Sequence, residues 1–171
     1  MTYQSQLTDP ENFTGVFAED GVTLTQNAEY IVEMGLRIIA EAAHRNARAK
    51  GWYETDRGFP EEIALVHSEA SEALEEYRNG RGFDEHYYAV SSADNPNVEF
   101  GGTLGPDSPA VTLPEGIIAK PEGIGAEVGD IVIRLGDIAG NPERPIDWAR
   151  GVIEKLRFNA TRPVRHGGKR A

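Results

Sequence analysis

The 171-residue chain has no cysteine, which rules out disulfides and thiolate metal sites and leaves the redox compartment open. It is short of positive charge: 17 lysines and arginines stand against 28 aspartates and glutamates, a formal net charge of -11. A general nucleic-acid binder needs a basic face for the phosphate backbone, so nucleic acid is set aside as a partner. The acid surplus also keeps a protein soluble, whatever else it does. No stretch approaches the roughly 18 consecutive apolar residues of a membrane span. The opening MTYQSQLTDPENF lacks a basic segment followed by an apolar run. The expectation is a soluble, cytoplasmic protein with no membrane partner and one domain, large enough for a real core but too short for two large ones.

What the chain does have is carboxylates in unusual places. Glu69 and Glu72 stand three residues apart within EEIALVHSEASEALEEYR (61–78), and Glu127 and Asp130 repeat that spacing within GAEVGDIVIRLGD (125–137). On a helix this spacing puts both side chains on one face. Each pair shares its segment with residues expected in a core: Ile63, Val66, Ala70, Ala73 and Leu74 in one, Ile124, Val128, Ile131 and Leu135 in the other. Two packed helices that both turn carboxylates inward bury like charges at a cost of several kcal/mol, unless a cation neutralises them.

Along the chain, residues 1–22 read as a polar arm broken by Asp9-Pro10, Thr14-Gly15 and Asp20-Gly21, with Phe13 and Phe17 docking it. Helical periodicity runs from about Thr23 to Lys50, with Ile31, Met34, Ile38 and Ala42 on one stripe and Gly51 placed to end it. Glu29, Glu33, Arg37 and Glu41 form a second stripe that suits a solvated face. Around this helix end cluster Asn46, Lys50 and Trp52; cations there suit the helix dipole, and Trp52 fits either a base-stacking platform or a loop anchor. The second helix opens at Pro60 and stops at Asn79-Gly80, and its Glu75 and Glu76 read as solvated. His67 and Ser68 are sequence neighbours and diverge from a helix, which argues against a Ser/His nucleophile.

Residues 81–122 lose the period amid scattered Gly and Pro and read as a long insertion, either a lid or a disordered segment, with short strands at Glu85–Ser91 and Ala110–Leu113. A third helix over Ile124–Ala139 carries Arg134 four residues after Asp130, a spacing that fits an ion pair. A fourth begins at Pro145 or Asp147 and runs to about Phe158, with Lys155, Asn159 and Arg162 following one side. Residues 166–171 read as a flexible basic tail. The expected fold is all-α, with four helices.

Four carboxylates without His or Cys make a hard-oxygen site suited to Mg²⁺, with Mn²⁺ as the alternative. A di-iron bundle needs Glu-x-x-His pairs, and neither acidic pair supplies one. Lys155 and Arg162 add donors for phosphate charge, and Asn159 adds a hydrogen bond.

The ordered set of Glu69-Ala-Ser-Glu72, Glu127-Val-Gly-Asp130, HSEASEALEEYRNG, KPEGIGAEVGDIVIRLGDIAG and the closing KLRFNATRPVRHGGKR resembles the MazG-like members of the all-alpha nucleoside triphosphate pyrophosphohydrolases, particularly the phage and actinobacterial type. The resemblance covers roughly residues 28–80 and 120–168. It implies a MazG-like helical domain over residues 23–165 and Mg²⁺-dependent cleavage of a nucleoside triphosphate to the monophosphate and pyrophosphate. By the same carry-over Glu69, Glu72, Glu127 and Asp130 hold the metals, Lys155 and Asn159 face the phosphates, and Asn46, Lys50 and Trp52 contact the base. It also implies a homodimer or homotetramer. The spacer 73–126 is longer than the family's usual connection, which bears on substrate choice. Outside this class, the alternatives are a catalytically silent helical protein that binds a nucleotide or alarmone, and an acidic helical interaction module that takes no metal.

Overall fold

The computed structural model describes residues 13–55, 57–92, 95–101 and 118–163. Helix α1 (Gln26–Ala49) is entered through Thr25, whose hydroxyl accepts the Ala28 N–H at 3.3 Å, and it ends before Gly51. Helix α2 (Phe59–Arg78) carries Pro60 in its first turn, where a missing N–H costs nothing. Its end is closed by the Arg81 N–H, which donates to the Glu76 carbonyl at 3.2 Å. Helix α3 spans Ile124–Gly140. Helix α4 (Trp148–Ala160) starts at Asp147, whose carboxylate accepts the Arg150 N–H at 3.3 Å.

Between α2 and α3 lie three strands: β1 (Tyr87–Ser92), β2 (Asn95–Gly101) and β3 (Ile118–Glu122). They form one antiparallel sheet in the order β2-β1-β3, with a register shift between Val90 and Ser91 on the β2 side. On the β3 side Tyr87 stands opposite Glu122 and Ala89 opposite Lys120. The chain is therefore mostly helical, in keeping with the expected class, and the insertion adds a small sheet. The expected strand at Ala110–Leu113 and the tail 166–171 lie outside the described residues, as does most of the arm. No described helix is long and apolar enough to cross a membrane.

The chain divides into two compact units, one built from residues up to Trp52 and from Gly136 onward, the other from Tyr53–Leu135. Among the described residues of the first unit the buried apolar side chains are four alanines and two isoleucines: Ala28, Ala40 and Ala43 on α1, Ala149 and Ile153 on α4, and Ile138 on α3. The end of α3 comes so near α1 that a Cβ on Gly140 would meet the Ala40 carbonyl oxygen at 2.5 Å. Buried His44 is 3.0 Å from Asp137 through its Nδ1, so Asp137 faces a partner rather than water.

Helix α1 is turned differently from the sequence reading. Ile31 (60 % exposed), Met34 (40 %) and Ile38 (62 %) point outward, and the charged stripe lies toward α4. Glu29 there receives two 2.6 Å hydrogen bonds from Arg157, and Arg37 reaches Glu33 at 2.8 Å and Asp147 at 3.7 Å. The i,i+4 pattern identifies charged neighbours but not whether a second helix lies across them.

Among the described residues of the second unit Tyr87 is the buried aromatic. Its hydroxyl donates to both oxygens of Glu76 at 3.1 Å, and the Arg81 guanidinium lies 4.0 Å from its ring centroid. Glu76 thus serves as an acceptor for the sheet rather than as part of a solvated face. Ala70, Leu74, Val128 and Leu135, expected in the core, are exposed in the single chain. The contact between α2 and α3 is made instead through their carboxylate sides.

Candidate metal centre

The site lies wholly within the second unit. Glu69 from α2 and Glu127 and Asp130 from the first turns of α3 each offer an oxygen, all within 4.8 Å of one another. Glu69 and Glu127 are buried, and Asp130 is half-buried. The three-residue spacing within α3 places the last two on one face, and α2 brings Glu69 against them. Such a set of close carboxylate oxygens could hold a metal ion.

Glu127 is the deepest of them, 2 % exposed, and its Oε2 is buried without a hydrogen-bond partner. Burial, then a hydrogen bond with the neighbouring Glu122 carboxyl that only a protonated pair can make, pushes its pKa up to about 7 against the partial relief of Lys120, so it is the ionised carboxylate that is left with an unmatched oxygen. Asp130 is raised as well, first by burial and then by the charge of Glu69. Both shifts report negative charge crowded into a place with too little water to solvate it.

Two cations offset part of that charge. Arg134 donates through Nε to Glu69 at 2.9 Å, so the residue whose spacing fitted Asp130 also bridges to the other helix. Lys120, from β3, places Nζ 3.1 Å from both Glu122 oxygens and 3.8 Å from Glu127 Oε1. Burial works against the lysine charge, but Glu122, Glu127 and Glu72 outweigh it and hold the ammonium pKa above its ordinary range. Glu69, Glu72, Glu122, Glu127 and Asp130 thus surround Lys120 and Arg134, more acids than the two cations neutralise. Such an excess of hard oxygens is chemistry that a metal ion could balance.

Three of the four expected ligands come together. Glu72 is exposed one turn along α2, where it accepts from Ser68 at 3.4 Å and acts on the cluster through its charge. Lys120 and Glu122 were assigned no role by the sequence reading. The available signal was their i,i+2 spacing just ahead of Glu127, since alternate strand residues share a face.

The expected substrate-binding residues belong to the first unit. Lys155 and Arg162 both approach the Phe158 ring, at 5.8 and 5.7 Å, and Asn159 is exposed beside them. Asn46 and Lys50 are exposed at the end of α1, and Trp52 is partly exposed just beyond it. No protein-family model, curated protein or solved structure matches the chain.

Proposed function

We propose that the chain is a Mg²⁺-dependent nucleoside triphosphate pyrophosphohydrolase, with Mn²⁺ an effective substitute, converting a (d)NTP and water to the (d)NMP and pyrophosphate. The reading takes its reaction from the resemblance described above, with a MazG-like bundle carrying residues 81–122 as an insertion. The observation that carries it is the Glu127 carboxylate, buried beside Glu69 and Asp130 with one oxygen unpartnered. A buried acceptor left unmatched is costly, and a cation shared among the three acids removes that cost.

Glu69, Glu127 and Asp130 hold the ion, and Glu72 adds charge from the next turn of α2. A metal held there would supply Lewis-acid chemistry, polarising a phosphoryl oxygen and lowering the pKa of a water. Arg134 keeps Glu69 in place. The resemblance, rather than any contact between the two units, is what gives Lys155, Asn159 and Arg162 the phosphates and Asn46, Lys50 and Trp52 the base. The protein works as a homodimer or homotetramer, a reading supported by the apolar stripe that α1 leaves uncovered.

The test is pyrophosphate release from a panel of canonical and modified (d)NTPs, with Mg²⁺ and with EDTA. At least one substrate should turn over only with metal. Glu127→Gln and Asp130→Asn should lower that rate by at least about 100-fold, because removing a ligand costs no less than removing a group that merely supports one. Absence of turnover across the panel, with metal demonstrably bound, overturns the reading.

A further inference from the structure

The acid cluster carries its own cation, and that cation comes from the insertion. In β3, Lys120 and Glu122 share a face on either side of Pro121. The turn that follows is tight: Gly123 has φ 109°, and a Cβ there would meet the Glu85 carbonyl oxygen at 2.5 Å. The end of β3 is thereby fixed just ahead of the turn of α3 that bears Glu127. Lys120 Nζ donates to Glu122 at 3.1 Å and lies 3.8 Å from Glu127 Oε1. The innermost oxygen of Glu127, Oε2, still has no partner. The lysine therefore satisfies the outer part of the cluster and leaves its buried part unmatched.

Resting on the metal-site reading given above, we propose that Lys120 is a tethered counter-ion: held by Glu122, it stands in for the divalent cation in the metal-free protein and competes with that cation for Glu127. A single ammonium carries half the charge of Mg²⁺ and coordinates nothing, so it holds the carboxylates together without filling the site. Its side chain is 53 % exposed, which leaves the ammonium room to withdraw into water when a metal enters. β3 thus sets how much free metal the site requires, and this gives part of the long insertion a function at the metal centre.

The experiment is calorimetric titration of Mn²⁺ into the full-length wild type and into Lys120→Met, Lys120→Gln, Lys120→Arg and Glu127→Gln, with thermal melting of each in EDTA and in saturating Mn²⁺. Removing one positive charge a few ångströms from the site, partly screened by water, should tighten Mn²⁺ binding by about 3- to 10-fold in both neutral variants. The same variants should melt at lower temperature than the wild type in EDTA and gain more from Mn²⁺. Lys120→Arg keeps the charge and should bind as the wild type does. Wild-type or weaker Mn²⁺ binding by Lys120→Met and Lys120→Gln, both folded by circular dichroism, overturns the proposal alone. If the wild type takes up no Mn²⁺, or Glu127→Gln binds it equally well, the metal-site reading itself fails.

Discussion

Glu127 combines deep burial with an unmatched oxygen and a pKa raised to about 7, and a single substitution isolates those properties. Its ordinary value is 4.5, so between 4.5 and about 7 the folded chain holds a proton that the unfolded chain releases. The associated stability is fully present below 4.5 and is lost as pH rises through about 7. In EDTA the melting temperature should therefore fall from about pH 5 to about pH 8, with raised Asp130 acting in the same direction. Saturating Mn²⁺ should flatten the slope, because the ion favours the ionised form, and Mn²⁺ affinity should increase over the same range. Glu127→Gln is neutral at every pH, so its metal-free melting curve should depend less on pH and lie above the wild type at about pH 8. Parallel profiles for the two proteins in EDTA would refute the assignment. The clustering of Glu69, Glu127 and Asp130 was legible because helical spacing is local and two such pairs stand out among apolar residues. The position of Glu72 outside the closest set was not legible, since a rotation of α2 by a fraction of a turn decides which of two acids faces inward.

At the scale of elements, the helices were legible to within a few residues because their ends carry local chemistry: Thr25 and Asp147 as caps, Pro60 in a first turn, Gly51 and Gly80 beyond the ends. The sheet was half legible. The strand at Tyr87 was expected from its own composition, but the pairing of Tyr87 with Glu122 joins positions far apart in sequence, and no local period reveals it. That pairing decides whether Lys120 and Glu122 reach the acid cluster. The sheet is held to α2 by the Tyr87 hydroxyl, donated to both Glu76 oxygens and covered by Arg81. Burial, and then the Glu76 carboxylate, pushes the phenol pKa up to about 12. Tyr87→Phe keeps the ring and the cation-π contact but removes the hydroxyl donor from Glu76, which retains the Arg81 guanidinium at 4.0 Å. We expect a loss of about 1–2 kcal/mol in urea unfolding, in the range for a hydrogen bond to a charged group. A cost below about 0.3 kcal/mol, within ordinary surface variation, would show that the clasp does not hold the sheet.

At the scale of the whole molecule, two properties pull against each other in assembly. α1 presents Ile31, Met34 and Ile38 to solvent on the side away from α4, a run of large apolar side chains at helical spacing. Each is about half buried already, so burying the remainder against a second copy contributes about 1 kcal/mol apiece, and a helix-to-helix contact through this stripe is favourable. Each copy also carries a formal charge of -11, so two copies repel. Salt screens the repulsion, with a Debye length of about 30 Å at 0.01 M and about 10 Å at 0.1 M, while apolar contact is little affected. Self-association through α1 should therefore strengthen as salt is added, the reverse of assembly held by ion pairs. Light scattering coupled to size-exclusion chromatography should give an integral multiple of the chain mass, and sedimentation equilibrium should give a tighter dissociation constant at about 0.3 M salt than at about 0.02 M. Ile31→Glu combined with Ile38→Glu puts two more negative charges on the stripe and should leave a folded monomer at every salt concentration. A wild-type monomer at tens of micromolar would overturn the oligomer reading itself; an oligomer that the double variant leaves intact would move the contact away from α1, and the exposed side chains of α3, Val128, Val132, Ile133 and Leu135, are then the next face to substitute.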